Sequence, residues 1–222
     1  MIIGQRMRKQ MLYILLVLLG LSMQHASYAE LTSTEQLLAE MATVQGNKYL
    51  LKESVEAGKE RSILCGNCHG KDGNSVRDYI PNLASQNAAY LFNQFELFAI
   101  GERKDYVMSK LAKNLTRQDK VNIAIYYSQM PVIPRSETGD VSSSVKGKQI
   151  YQSLCFTCHQ KDGHGDGNYP RIAGQPYKYL VKTLESFSGG DKDRVNSPMA
   201  VIVANMNNEQ LKEVAAYVAR MP

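Results

Sequence analysis

The four cysteines of this chain fall in two copies of one pattern, Cys65-Gly66-Asn67-Cys68-His69 and Cys155-Phe156-Thr157-Cys158-His159. On a helical turn, positions i, i+3 and i+4 share a face, so each copy would project two thiols and an imidazole the same way. Cys-x-x-Cys-His is the attachment signature of a c-type haem: each thiol adds across a vinyl group and the histidine ligates iron from the same side. Three other uses of the cysteines fit less well. Two disulfides would suit an oxidising compartment but leave both histidines unexplained. A zinc site would want the pairs within about 15–20 residues of each other, and these are much further apart. A thioredoxin-like redox pair would want a βαβ context, which the sequence lacks.

The clusters sit inside a longer duplication, which decides the domain organisation. Gly58-Lys59 and Gly147-Lys148 precede them, and Lys71-Asp72-Gly73 answers Lys161-Asp162-Gly163. Ile80-Pro81-Asn82-Leu83-Ala84-Ser85-Gln86 answers Tyr169-Pro170-Arg171-Ile172-Ala173-Gly174-Gln175. Phe98 answers Phe187, Met108 answers Met199, Tyr126 answers Tyr217, and both copies close on Met-Pro. Two domains of one kind are therefore expected, at 55–131 and 145–222. The stretch 132–144, with Pro134, Gly139 and three consecutive serines, reads as their linker. Leu91, Phe95 and Phe98 recur at helical spacing, as do Leu180, Leu184 and Phe187. Phe95 and Phe98 read as core, in a domain so small that the core could itself be a haem. Thr116-x-x-Asp119 and Asn207-x-x-Gln210 resemble capping boxes opening a last helix in each copy. No alternating strand runs occur, so the fold is expected to be all-α.

The N-terminus carries Arg6, Arg8 and Lys9, an apolar run from Met11 to about Met23, and a small-residue exit at Ser27-Tyr28-Ala29. This reads as a signal peptide, residues 1–29, cleaved after Ala29. The apolar run is short against the roughly 20 residues of a spanning helix, and the expected location is periplasmic. Removing the three leader charges takes the formal net charge from +5 to +2, so the basic pI gives no support to a nucleic-acid or membrane-surface partner. Between leader and first domain, residues 30–54 form an extension. Leu37, Leu38, Met41 and Val44 suggest an amphipathic helix starting near Ser33, which could pack on the first domain or dock a partner.

Histidine scarcity bears on the sixth iron ligand. Past the leader only His69, His159 and His164 remain, too few for two bis-histidine sites. His164 lies in a glycine loop and reads as solvent-facing. Met108 and Met199 are paired by the repeat, and a thioether opposite histidine raises the reduction potential. Met206 is the rival in the second copy, but its repeat partner is Leu115, which cannot ligate.

Together, Ala57-Gly58-Lys59, the Cys65–Ser75 run, Pro-x-[Leu/Ile]-Ala-x-Gln, x-Tyr-Leu and Gly101-x-Arg103 resemble the dihaem cytochrome c4 family, two class I c-type domains in tandem. The resemblance runs from about residue 56 to 222. It implies two covalently attached haem c groups, with the carbonyls of Pro81 and Pro170 accepting from the proximal histidines and Arg103 near a propionate. It implies that Gly58 and Gly147 let the first helix of each domain cross the last, against Tyr126 and Tyr217. It further implies a monomeric electron carrier, taking electrons from a quinol-oxidising complex toward a terminal oxidase or reductase. An electron-transfer subunit of a larger dehydrogenase or reductase, with membrane-complex association, is the alternative. A dihaem peroxidase fits poorly, because it usually needs a bis-histidine partner haem.

Overall fold

The computed structural model describes residues 36, 38–134, 141–167, 169–190 and 197–222, and among them every regular element is helical. The leader, Ser33 and Leu37 lie outside the described residues. Helix α1 covers residues 38–46. It ends at Asn47, whose side chain accepts from the backbone of Tyr49 and Leu50 at 3.0 and 3.2 Å and so opens α2, Lys48–Arg61. The first helix of the first half thus begins inside the stretch expected as extension. The half continues through the turn α3 (Gly66–His69), α4 (Ala88–Ile100), α5 (Met108–Lys113) and α6 (Arg117–Ser128). The second half repeats the order: α7 (Val141–Ile150), a π-helical turn (Tyr151–Cys155), α8 (Phe156–His159), α9 (Tyr177–Ser188), α10 (Pro198–Val203) and α11 (Asn208–Val218). α7 begins within the expected linker, of which residues 135–140 lie outside the described residues. Both halves belong to one compact unit, Val44–Pro222.

Each half is closed by its first helix crossing its last. A Cβ on Gly58 would overlap the Asn122 carbonyl and stand 2.7 Å from Tyr126 Cβ; one on Gly147 would overlap the Glu213 carbonyl and stand 2.9 Å from Tyr217 Cβ. Only a residue without a side chain allows backbones to come this close. The crossings are tied at their edges by Arg61 on Asp119 (3.2 Å) and Lys146 on Glu213 (3.1 Å). α6 and α11 open with the expected capping boxes, from Thr116 with Asp119 and Asn207 with Gln210. Leu91, Phe95 and Phe98 are buried, as are Leu180 and Phe187, and each such side chain contributes about 1.5–3 kcal/mol of transfer free energy.

The π-turn explains a slip in the repeat. Between the crossing glycine and the first cysteine the second half has one residue more than the first. A π-turn is an α-helix with one residue inserted, and it absorbs the difference at Tyr151–Cys155. In this register Tyr151 takes the place of Ser62, and Tyr127 the place of Val218. The aromatic ring therefore comes from the last helix in one half and the first helix in the other. Each ring still tilts against the neighbouring crossing tyrosine: Tyr127 on Tyr126 at 4.9 Å, Tyr151 on Tyr217 at 5.5 Å. The hydroxyls differ. Tyr151 donates to the Gln160 carbonyl at 2.6 Å. Tyr127 Oη is buried without a hydrogen bond of normal geometry, the Ser62 hydroxyl beside it donating to the Lys59 carbonyl at 3.0 Å. Tyr127→Phe is thus expected to be neutral or stabilising, whereas Tyr151→Phe loses about 1 kcal/mol, a contrast that denaturant unfolding will read.

Candidate haem-attachment sites

Each Cys-x-x-Cys-His segment is wound into one helical turn. The N–H groups of Cys68 and His69 both donate to the Cys65 carbonyl, at 3.1 and 2.9 Å, which sets the two thiols and the imidazole on one side. None of the four cysteines is in a disulfide, and among the described residues no three His, Cys, Asp or Glu side chains converge as a metal cluster. Burial pushes the Cys65 thiol up and that of Cys155 up to about 11. That is the opposite of a redox-active pair, whose nucleophilic cysteine is held as thiolate.

Both histidines are buried. His69 Nδ1 lies 2.9 Å from the Pro81 carbonyl and His159 Nδ1 lies 3.0 Å from that of Pro170. A carbonyl only accepts, so the proton sits on Nδ1 and Nε2 keeps its lone pair for iron. Burial holds both imidazoles below their ordinary pKa, against the opposing pull of the proline carbonyls. His69 also feels Arg103, which reinforces the lowering, and Asp105, which opposes it, so the segment leading into Met108 lies on its side. Arg103 itself stacks over the Phe98 ring at 4.4 Å and donates to Gln94 Oε1 at 2.5 Å. Asp105 fixes the start of α5 by accepting from the N–H groups of Val107 and Met108, both at 2.9 Å.

Met108 is the first residue of α5, and Met199 follows Pro198 in α10. Both are half-buried, and Met199 packs with Met206 against Phe187, Val203 and Leu211. Apolar side chains bracket the candidate ligands: Ile63, Leu64, Tyr106 and Val107 in the first half, Leu154, Phe156, Val201 and Ile202 in the second, all exposed on the polypeptide. A run of apolar groups beside buried imidazoles fits an apolar macrocycle. His164 is half-exposed, and its place in the repeat is held by Asn74. Each reaches the closing proline carbonyl of its own half, Asn74 Nδ2 to Pro131 at 2.9 Å and His164 Nε2 to Pro222 at 3.2 Å.

The repeat sequence did not disclose how the halves meet. Gln86 and Gln175, the last residues of the matched proline segments, cross over. Gln175 accepts from the Asn82 N–H and donates to the Asn82 carbonyl, both at 2.9 Å. Gln86 does the same with Arg171, both at 2.7 Å. Outside this buried centre, Lys178 pairs with Asp78 at 2.8 Å, and Asn87 donates to the Tyr169 carbonyl at 2.5 Å. The signal was present as two glutamines in register, but only the three-dimensional contact reveals the exchange.

Residues 144–222 match the family model for cytochrome c. The chain is 30% identical over 184 residues to cytochrome c4 of Azotobacter vinelandii, a match spanning 73% of this chain and 86% of that one. It is 26% identical to the thiosulfate dehydrogenase electron acceptor of Thiomonas intermedia, over 82% of this chain and 89% of that one. Reduced recombinant cytochrome c4 from Pseudomonas stutzeri, a crystal structure, aligns with a TM-score of 0.69 at 26% identity, covering 76% of this chain and 98% of the other. At the junction of the halves, Gln86→Ala leaves the buried N–H and carbonyl of Arg171 without partners and is expected to cost about 1–3 kcal/mol. Asp78→Ala, at an exposed ion pair, is expected to change unfolding stability barely.

Proposed function

The chain belongs to the cytochrome c4 family, a premise from which we propose that it is a periplasmic dihaem electron carrier, exported by a leader removed after Ala29. In this reading Cys65 and Cys68 hold one haem c covalently, Cys155 and Cys158 the other, and His69 with Met108 and His159 with Met199 are the axial ligands. The observation that carries it is the recurrence, in both halves, of a Cys-x-x-Cys-His turn whose buried imidazole has Nδ1 committed to a proline carbonyl. Bound there, haem c supplies a one-electron ferric/ferrous couple. The polypeptide does the rest. His69 and His159 are kept neutral by burial and offer Nε2. Pro81 and Pro170 fix the ring orientation and tautomer. The methionine thioethers are soft, uncharged donors that favour the ferrous state. With both axial positions filled from the chain, no coordination site is left for substrate, and the protein is an electron carrier rather than an enzyme. Arg103, beside His69, is the group suited to a propionate of the first site.

Redox proteins are the partners. The family resemblance points to a quinol-oxidising donor and a terminal oxidase or reductase as acceptor, served by a diffusing monomer. A second reading is favoured by the likeness to a thiosulfate dehydrogenase electron acceptor: this chain would then take electrons directly from a dehydrogenase, in a complex.

Visible spectroscopy of the mature oxidised protein tests the ligation. A weak far-red sulfur-to-ferric-haem band is expected, reduced to about half by Met108→Leu or by Met199→Leu and untouched by Met206→Leu. Loss of the band on changing Met206 would reassign the second ligand. Acid titration tests the charge beside His69. Arg103 opposes protonation of that imidazole, so Arg103→Leu is expected to move acid detachment at the first site to higher pH. Arg103→Lys should not, and the second site serves as internal control because only burial and Pro170 act on His159.

A further inference from the structure

The peptide group joining Pro81 to Asn82 is hydrogen-bonded at both ends, to different halves of the molecule. Its oxygen accepts from His69 Nδ1 at 2.9 Å, and its N–H donates to Gln175 Oε1 at 2.9 Å. The group joining Pro170 to Arg171 repeats the arrangement, with His159 Nδ1 at 3.0 Å and Gln86 Oε1 at 2.7 Å. Both glutamines are 4% exposed. Each Nε2 returns to the carbonyl of the residue whose N–H its Oε1 receives, which fixes the amide orientation. Asn82 is further held by Ser75, whose N–H donates to its Oδ1 at 2.9 Å.

We propose that Gln175 and Gln86 are positioning residues that set the donor strength of the axial imidazole in the opposite half, Gln175 acting on His69 and Gln86 on His159. An amide is one conjugated unit. An acceptor on its N–H pushes electron density toward its oxygen, and hydrogen bonds chained this way strengthen one another by roughly 10–30% each. The Pro81 oxygen then draws harder on the Nδ1–H of His69, leaving Nε2 a stronger donor that favours ferric iron. Outer groups acting through a ligating histidine in this way tune a metal as a rule. Here that outer group comes from the other domain, so each site's potential is partly set across the junction and only while the halves are docked. The inference rests on the histidine ligation proposed above.

The test is a redox titration of the full-length holoprotein with the two sites resolved by NMR, on Gln175→Met and Gln86→Met. A crossed pattern is expected. Gln175→Met raises the potential of the His69 site and leaves the His159 site unmoved, and Gln86→Met does the reverse. In the reduced protein the Nδ1 proton of the opposite histidine should move upfield in the same crossed order. A shift confined to the half that carries the substitution, or none, overturns the proposal. Should solution scattering show that a methionine variant has opened the junction, Gln175→Glu carries the test instead. It keeps an acceptor oxygen for the Asn82 N–H, and its carboxylate should lower the His69-site potential; a rise or no change overturns the proposal. If wild-type protein lacks the far-red band, the ligation reading fails first. If the band is present and the crossed shifts are absent, only the role of the glutamines fails.

Discussion

Everything in each half depends on two helices meeting backbone to backbone. The contact of Gly58 with the Asn122 carbonyl, and of Gly147 with that of Glu213, brings the start of each half against its end. The cysteine turn follows directly from the first helix, and the last helix supplies the carbonyl that anchors the proline segment: Tyr127 accepts from Ser85 N–H and Val218 from Gly174 N–H, both at 3.0 Å. The crossing therefore fixes the distance between the histidine turn and the proline loop. The hydrogen bond from imidazole to carbonyl is a consequence of it. A larger residue at either glycine would separate the helices and loosen that bond without touching the site itself.

The two halves keep this frame while varying what fills it. The left-handed position after the proline is Ser85 at φ +50° in one half and Gly174 at φ +64° in the other. The ring under the crossing comes from the last helix in one case and the first in the other. Such exchanges are what a packed interior allows: volume and aromatic contact must be preserved, but not the strand of sequence that provides them. They also make the halves unequal. Only the first has charges of both signs acting on its histidine, through Arg103 and Asp105.

Much of this was legible in the sequence because the signals are local and doubled. Cysteine spacing, the capping residues Thr116 and Asn207, and the crossing glycines each report a short-range geometric demand, and seeing them twice removes most ambiguity. Boundaries were less legible. Asn47 ends one helix and begins another within the span read as an extension, because hydrophobic spacing continues across the break. Val141 starts a helix inside a serine-rich stretch whose composition alone suggests a linker. The one-residue insertion before Cys155 could be counted, but its conversion to a π-turn depends on packing. Least visible were contacts between the halves, since Gln86 and Gln175 look like ordinary repeat positions until they are found bonded across the junction.

Those glutamines address main-chain groups. What Gln86 recognises at Arg171, and Gln175 at Asn82, is an N–H and a C=O, which every residue except proline offers. The junction is thus blind to the identity of the amino acid it grips, and that is why asparagine and arginine can hold equivalent places in it. Docking and diversification are decoupled: side chains at 82 and 171 are at liberty to acquire local tasks, such as the arginine's hold on the Pro222 carbonyl at 3.0 Å, while the clasp between the domains stays the same.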